Sequence, residues 1–293
     1  MSRCFICPRE CGAERDLGEV GACGQNSTVR VSRIALHPYE EPPLSGTRGS
    51  GTVFFCGCSL GCVFCQNKDI SRGTLMGTEY SPLTLAEKML ELEEMGAHNI
   101  NLVTAAHFAP TVAKALETAR KKLKIPVVYN SSGYEKAQTL TTLDGLVDVY
   151  LPDFKYFSNE LSQKFSNAPD YADVATAALS EMYRQVGNIR YGEDGMLVRG
   201  MIVRHLVLPS HRDDSIAVLE HLTSFLPTDG ILLSLMSQYT PDFASDCEYR
   251  ELHRRLTSFE YKSVASVAES LGFDGFFQEL SSATKKYTPN FNE

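Results

Sequence analysis

Six short apolar segments, each followed by a stretch of helical periodicity, constrain the fold of this 293-residue chain more than any other feature. They predict strands over 52–56, 99–103, 126–129, 148–151, 201–208 and 230–236. Near-continuous apolar strands that alternate with helices are typical of a parallel sheet covered by helices. We therefore expect an α/β fold, and periodicity alone does not distinguish an open sheet from part of a barrel.

Helical periodicity predicts helices between and after these strands, over 81–95, 110–123, 135–140, 170–187, 215–225 and 247–259. The first of them has the best defined ends. Ser81 and Pro82 are typical of an N-cap and a first helical turn, and Gly96 lies just beyond the last apolar position.

The cysteines are unevenly distributed along the chain. Eight of the nine precede residue 66 in two groups, and only Cys247 stands apart. In a reducing compartment, closely spaced cysteines indicate metal or redox chemistry rather than disulfides. We expect Cys247 to be a buried small hydrophobe, and for Cys56 packing and chemistry remain open.

Charge and hydropathy exclude several kinds of partner. A net charge of −8 disfavours a nucleic-acid interface, because such binding depends on Lys and Arg that neutralise phosphates. No segment approaches the roughly 18 consecutive apolar residues of a membrane span, and the N-terminus lacks the apolar run of a secretion signal. We expect a cytoplasmic protein with no nucleic-acid or membrane partner.

The second cysteine group lies directly after the first predicted strand, with the spacing Cys58-x3-Cys62-x2-Cys65. Three thiolates in one short loop can each bind one iron of a four-iron cluster, for which the usual complement is four cysteines. A loop that supplies three leaves one iron open to another ligand. An open metal position is typical of catalytic rather than structural sites.

This loop, with Phe64 before the last cysteine, resembles that of the radical S-adenosylmethionine superfamily. The surrounding sequence is similar to the branch related to the pyruvate formate-lyase activating enzyme. That likeness extends along nearly the whole chain and is carried by the segments 49–67, 99–104, 150–155 and 204–209.

The resemblance implies a partial (β/α)6 barrel over residues 49–293, with a [4Fe-4S] cluster on Cys58, Cys62 and Cys65 at the C-terminal ends of the strands. S-adenosylmethionine would chelate the open iron through its amino and carboxylate groups. One electron would then break its sulfur–carbon bond and give a 5′-deoxyadenosyl radical that abstracts hydrogen.

Three interpretations of the function are open at this point. The resemblance implies an electron donor such as flavodoxin or ferredoxin, and a glycyl radical enzyme as the protein that is activated. Radical modification of a small molecule or of another protein is the alternative within enzymes. The alternative outside enzymes is a non-catalytic protein, either an iron–sulfur electron carrier or an interaction module whose fold zinc stabilises.

Contacts to the cofactor are expected from the strand ends, namely from Phe64, Thr104, Asn130, Ser131, Asp153, Lys155 and Arg204. Relatives commonly carry Gly-Gly-Glu for the cofactor amino group where this chain has Thr104 to His107, so backbone carbonyls, Thr104 or His107 would take that role. Lys155 would pair with the cofactor carboxylate, and Asp153 would anchor that lysine, a ribose or a cation. Gln238 and Tyr239 are expected near the substrate.

Residues 1–48 form a Cys-rich segment that we expect to be a small metal-binding unit wrapped onto the larger domain. Cys4, Cys7, Cys11 and Cys23 supply four thiolates. Four thiolates can close a tetrahedral zinc site or hold a second, fully ligated [4Fe-4S] cluster, and the spacing does not decide between them.

Overall fold

The computed structural model describes residues 3–72 and 77–284, together with Pro289 and Phe291. The strands within these residues are β1 (Val29–His37), β2 (Ser50–Phe55), β3 (Thr78–Tyr80), β4 (Ile100–Val103), β5 (Val127–Ser131), β6 (Val149–Pro152), β7 (Arg190–Tyr191), β8 (Leu197–Leu206), β9 (Leu232–Met236) and β10 (Gly275–Phe277). The helices are α1 (Pro42–Ser45), α2 (Lys68–Ser71), α3 (Pro82–Glu94), α4 (Ala109–Ala119), α5 (Ala137–Leu140), α6 (Asn159–Ser166), α7 (Tyr171–Val186), α8 (Arg212–Thr223) and α9 (Ser258–Ser270).

All six predicted strands are present and parallel to one another. The strands β2, β4, β5, β6, β8 and β9 lie side by side in chain order, and β10 adds a further parallel strand beside β9. The ends of the sheet, β3 and β10, are not paired with each other in the described part of the chain. The architecture is therefore the expected α/β fold with an open, partial barrel.

The two faces of the sheet have different environments, because successive side chains of a strand point to opposite sides. On β4, Ile100 and Leu102 pack in the main core together with residues of α3 and α4. Val128, Leu151, Ile202 and Leu232 belong to a separate apolar cluster, which also contains Leu44 of α1. The second cluster lies on the inner face of the sheet, and the functional residues lie on that same face.

The sequence did not predict β1, an antiparallel strand that pairs with β2 over a long register. It lies at 29–37, within the segment that we expected to be a separate metal-binding unit. The sheet thus crosses the boundary at residue 48, and the division into segments 1–48 and 49–293 stays a prediction.

The predicted helix over 247–259 is wrong. The chain there forms a short 3-10 turn, Arg250–His253, and α9 begins only at Ser258. The Thr257 hydroxyl caps the helix by accepting from the backbone N–H of Glu260, and the Glu260 carboxylate accepts from the backbone N–H of Thr257. This capping box fixes the start of α9 more firmly than apolar periodicity does.

The predicted start of α3 is confirmed, since Ser81 accepts a hydrogen bond of 3.1 Å from the backbone of Thr84. None of the helices within the described ranges combines the length and the apolar character that a membrane span requires.

Candidate active site at the strand ends

The cysteine loop begins where β2 ends, and hydrogen bonds to two other segments hold its first residues in place. The backbone N–H of Gly57 donates to Ile70 at 2.9 Å, and that of Cys58 donates to the Cys23 carbonyl at 3.1 Å. Gly57 has a φ of +84°, and a Cβ there would lie 2.5 Å from the Cys23 carbonyl oxygen. Only glycine fits where the N-terminal segment crosses the loop.

The thiols of Cys58, Cys62 and Cys65 line one cavity of about 150 Å³. Ser166 donates to the Cys62 sulfur at 3.0 Å, and Ser71 donates to the Cys65 sulfur at 3.5 Å. Burial raises the pKa of Cys58 to about 12, and the charges of Cys65 and Cys62 add to this effect. Three crowded sulfurs, two of which accept from hydroxyl groups, fit an iron–sulfur cluster, whose irons would offset the thiolate charge.

A mononuclear metal site is a different arrangement. In residues 3–72 and 77–284, no three His, Cys, Asp or Glu side chains converge on a position for a single ion. In a four-iron cluster each thiolate binds its own iron, so the ligand sulfurs stand at separate corners.

Asp153, Lys155 and Arg204 form an ion-pair network on the wall of the same cavity. The Lys155 ammonium donates to Asp153 Oδ2 at 2.6 Å, and Arg204 Nε donates to Asp153 Oδ1 at 2.9 Å. Although burial opposes charge, the Asp153 carboxylate holds the pKa of Lys155 above its usual value. The network therefore presents a fixed ammonium group beside the thiols.

Phe64, the predicted aromatic of the loop, is buried against the cavity. Its ring makes edge-on contacts with Tyr156, Phe165 and Tyr239, each with centroids 6.3 Å apart. These contacts fix the loop between Cys62 and Cys65 on an aromatic base.

Thr104, at the end of β4, lines the cavity in a backbone conformation that threonine rarely adopts. Its φ is +62°, and its N–H donates to the Asn130 carbonyl at 2.9 Å. Left-handed backbone is strained for a β-branched residue, and such strain is concentrated at functional sites. A glycine would adopt this conformation without strain.

The expectation that His107 could contact the cofactor is wrong. Its side chain is buried behind the cysteine loop, where Nε2 lies 2.7 Å from the Cys56 carbonyl oxygen. The 3-10 turn Ala106–Phe108 directs the ring toward the N-terminal segment, and Arg15 donates to the His107 carbonyl at 2.7 Å. His107 therefore supports the loop from outside the cavity.

Ser131 and Asn130, at the end of β5, have different positions. Ser131 lines the thiol cavity, but its hydroxyl donates to the buried Glu135 carboxylate and accepts from the Gly133 N–H at 3.0 Å. Asn130 lies on the inner face of the sheet, and its Oδ1 atom accepts a hydrogen bond of 2.6 Å from Arg204. Their predicted contacts with the cofactor stay predictions.

A second, larger cavity of about 570 Å³ lies next to the first on the inner face of the sheet. The two cavities share the lining residues Gln66, Asn67, Arg204, Met236 and Gln238. Gln238 thus lies where a residue that contacts the substrate was expected. The Tyr239 hydroxyl instead donates to the Leu252 carbonyl.

The sequence reading missed Glu40 and Glu41, which line the larger cavity. Two adjacent acidic residues in a Pro-rich connection were the available signal.

The N-terminal cysteines also form a group in space. The thiols of Cys4, Cys11 and Cys23 are near enough to interact electrostatically with Cys7, whose pKa burial raises to about 11. Cys7 and Cys23 are buried, and Cys11 is exposed. The structure thus brings the four predicted ligands together beside the loop of the active site.

Comparisons with known proteins identify the family. The family model described as the radical SAM superfamily matches residues 52–192, a range that includes the cysteine loop, Asp153 and Lys155. The uncharacterized protein MJ0674 of Methanocaldococcus jannaschii is 31% identical over 285 residues, which cover 94% of this chain and 76% of the relative.

Among solved structures, the crystal structure of methylornithine synthase overlaps with a TM-score of 0.48 at 14% identity, covering 72% of this chain and 59% of that chain. The crystal structure of oxaloacetate acetylhydrolase overlaps with a TM-score of 0.33 at 13% identity, covering 67% of this chain and 72% of that chain. With its cysteine loop inside the matched domain, the chain belongs to the radical SAM superfamily, whose enzymes use a [4Fe-4S] cluster and S-adenosylmethionine.

Proposed function

We propose that this enzyme abstracts a hydrogen atom from a substrate that binds in the 570 Å³ cavity, directly beneath its cofactor. The observation that carries this proposal is the continuity of the two cavities, which share Arg204 and Gln238. A radical formed beside the thiols would meet a substrate held in the adjoining space. Proximity of this kind supplies much of the rate in enzymes that handle reactive groups.

The residues of the smaller cavity would hold the cofactors. Cys58, Cys62 and Cys65 would bind three irons of the [4Fe-4S] cluster and leave the fourth for S-adenosylmethionine. When bound, the cluster and S-adenosylmethionine supply the electron and the carbon radical that remove hydrogen. Lys155, oriented by Asp153, would pair with the cofactor carboxylate.

The N-terminal thiols would hold a second [4Fe-4S] cluster that passes electrons to the first. The hydrogen bond of 3.1 Å from the Cys58 N–H to the Cys23 carbonyl supports this role, because it joins the two ligand loops directly. The exposed Cys11 faces solvent, where a flavodoxin or ferredoxin could approach. Zinc at the same four thiols is the alternative. It would require the thiols to converge on one position, which no three of them do within the described residues, and the iron, sulfide and zinc content per chain decides between the two metals.

The hydrogen donor is a small molecule or a single side chain, which a cavity of this size accommodates. The resemblance of Asp153-x-Lys155 to the activating enzymes supports a second candidate, a glycyl radical enzyme as the protein that is activated. A peptide loop inserted into the same cavity would then supply the hydrogen.

The proposal is tested by anaerobic reconstitution, reduction with dithionite and quantification of 5′-deoxyadenosine after addition of S-adenosylmethionine. We expect the wild type to form it and Cys58→Ala to form none. An electron carrier without turnover would form none in either case, and full retention of cleavage by Cys58→Ala would show that the ligands are wrongly assigned.

A further inference from the structure

The larger cavity contains two adjacent carboxylates, Glu40 and Glu41, that the chemistry of the cofactor does not use. They occupy the turn between β1 and α1. The Glu40 N–H donates to the Ser45 hydroxyl at 2.8 Å, which fixes this turn over the inner face. Both carboxylates therefore have a defined place on the cavity wall.

The two carboxylates differ in how they are satisfied. Glu40 Oε1 accepts from the Asn101 amide at 2.9 Å, and Glu40 Oε2 lies 3.7 Å from the Arg204 guanidinium. Glu41 is only 9% exposed, and its Oε2 has no hydrogen-bond partner among the described residues. A buried carboxylate without a partner is costly, so this oxygen requires a donor that the described part of the chain does not supply.

The charges around the cavities are also unbalanced. The carboxylates of Glu40, Glu41 and Asp153 face the two cations Arg204 and Lys155. Arg204 already donates to Asp153 and Asn130, and Lys155 donates to Asp153. Among the described residues, carboxylates therefore outnumber cations by one when Glu40 is ionised, although Arg204 also interacts electrostatically with Glu41.

Protonation of Glu40 relieves part of this excess of negative charge. Burial raises the pKa of Glu40 to about 7, against the opposing effect of Arg204 and with a further contribution from Glu41. His37 also lines the cavity, but burial and the nearby Arg33 lower its pKa, so its ring is neutral at pH 7 and does not supply the missing charge.

The amino group of S-adenosylmethionine is not the missing cation. Neither Glu40 nor Glu41 lines the cavity that contains the thiols, whereas that amino group is expected at the open iron. Apart from Arg204, no Lys or Arg of the described residues lines the larger cavity, so we assign the missing cation to what binds there.

We propose that the substrate carries a cationic nitrogen, an ammonium or guanidinium group, that binds Glu41, with Glu40 as the second acceptor. Such a group offers several N–H donors. A neutral substrate would leave the Glu41 carboxylate unpaired. This inference rests on the proposed function, since it names the substrate class of the same site.

The test compares two isosteric probes, 1,4-diaminobutane and 1,4-butanediol, by titration calorimetry on the anaerobically reconstituted protein with S-adenosylmethionine and no reductant. We expect the diamine to bind at least about tenfold more tightly than the diol. Glu41→Gln keeps the shape of the side chain and should lower the affinity for the diamine at least about tenfold. Glu94→Gln makes the same charge change on the exposed surface of α3 and should leave the affinity unchanged.

Equal affinities for the diamine and the diol in the wild type would overturn the inference, and this comparison does not depend on any variant folding. Binding of Mg²⁺ that excludes the diamine and is lost in Glu41→Gln would also overturn it, because the carboxylates would then form a metal site. The proposed function fails separately. In that case the wild type binds the diamine but forms no 5′-deoxyadenosine with dithionite.

Discussion

The two cysteine groups of this chain are close in space and differ in what surrounds their sulfurs. Cys4, Cys7, Cys11 and Cys23 are four thiols in a turn-rich segment. The other group has three thiols, and they line a cavity that also contains the Lys155 ammonium and the carboxylate of Asp153. Under the proposed function, ligand number and the adjoining space together would distinguish a closed N-terminal metal site from a cluster that is open to a cofactor.

Removal of one cysteine from each group should show the largest difference between the two groups. Cys62→Ala should reduce 5′-deoxyadenosine formation with dithionite to the background of a metal-free sample, because the cluster that binds the cofactor is lost. Cys11→Ala should retain cleavage with this reductant, because the three-thiol site is intact. The assay is product quantification by chromatography, and loss of cleavage in both variants would show that the two groups do not act separately.

The ammonium group of the three-thiol cavity gives the next largest effect. Lys155→Met should weaken S-adenosylmethionine binding by at least about tenfold, since the proposed ion pair to the cofactor carboxylate is removed. Lys155→Arg keeps the charge and should lose less. Equilibrium dialysis with labelled cofactor measures this change.

Lys164→Met is the control for Lys155→Met. Lys164 pairs with Glu251 and does not line the thiol cavity, so this variant should bind like the wild type. An unchanged affinity in Lys155→Met would contradict the proposed role of the ammonium.

Removal of the hydroxyl donors to the ligand sulfurs should have a smaller effect, which is a change in the midpoint potential of the cluster. Ser166→Ala removes a hydrogen bond of 3.0 Å to Cys62 and should lower the midpoint potential of the cluster by about 40 mV, equivalent to about 1 kcal/mol for one electron. Ser71→Ala removes the longer contact of 3.5 Å to Cys65 and should shift the potential less. A redox titration followed by paramagnetic resonance reports both shifts, and an upward shift in Ser166→Ala would be incompatible with this account.

The strained backbone at Thr104 predicts the smallest effect. Thr104→Gly should stabilise the protein by about 1 kcal/mol, because glycine adopts the φ of +62° without strain. The melting temperature should rise by about 2 °C in anaerobic calorimetry. Thr104→Ala keeps the Cβ and should gain less, so equal stability of the two variants would mean that the strain is not released.

Much of this site could be predicted from the sequence, because it depends on local spacing and on the ends of parallel strands. Cys58, Cys62 and Cys65 are near one another in the chain. Asp153 directly follows β6, and Arg204 lies near the end of the neighbouring β8, so the fold had to bring them together. The helical start at Ser81 was local in the same sense.

The parts that sequence did not predict depend on long-range pairing. Glu40 and Glu41 reach the cavity only because β1 joins β2, and the alternation in β1 was too weak to show that. His107 follows a strand end as the other candidates do, but the turn after β4 directs its ring away from the cavity. The helix expected over 247–259 failed because the Thr257 cap decides where α9 begins.

Double resonance spectroscopy on the reduced cluster tests the open iron most directly. S-adenosylmethionine labelled with ¹⁵N in its amino group and ¹⁷O in its carboxylate is added to the reduced wild type. The three-thiol account predicts hyperfine coupling from both labels, retained in Cys11→Ala. A fully assembled cluster at Cys58, Cys62 and Cys65 that shows no coupling to either label would contradict it.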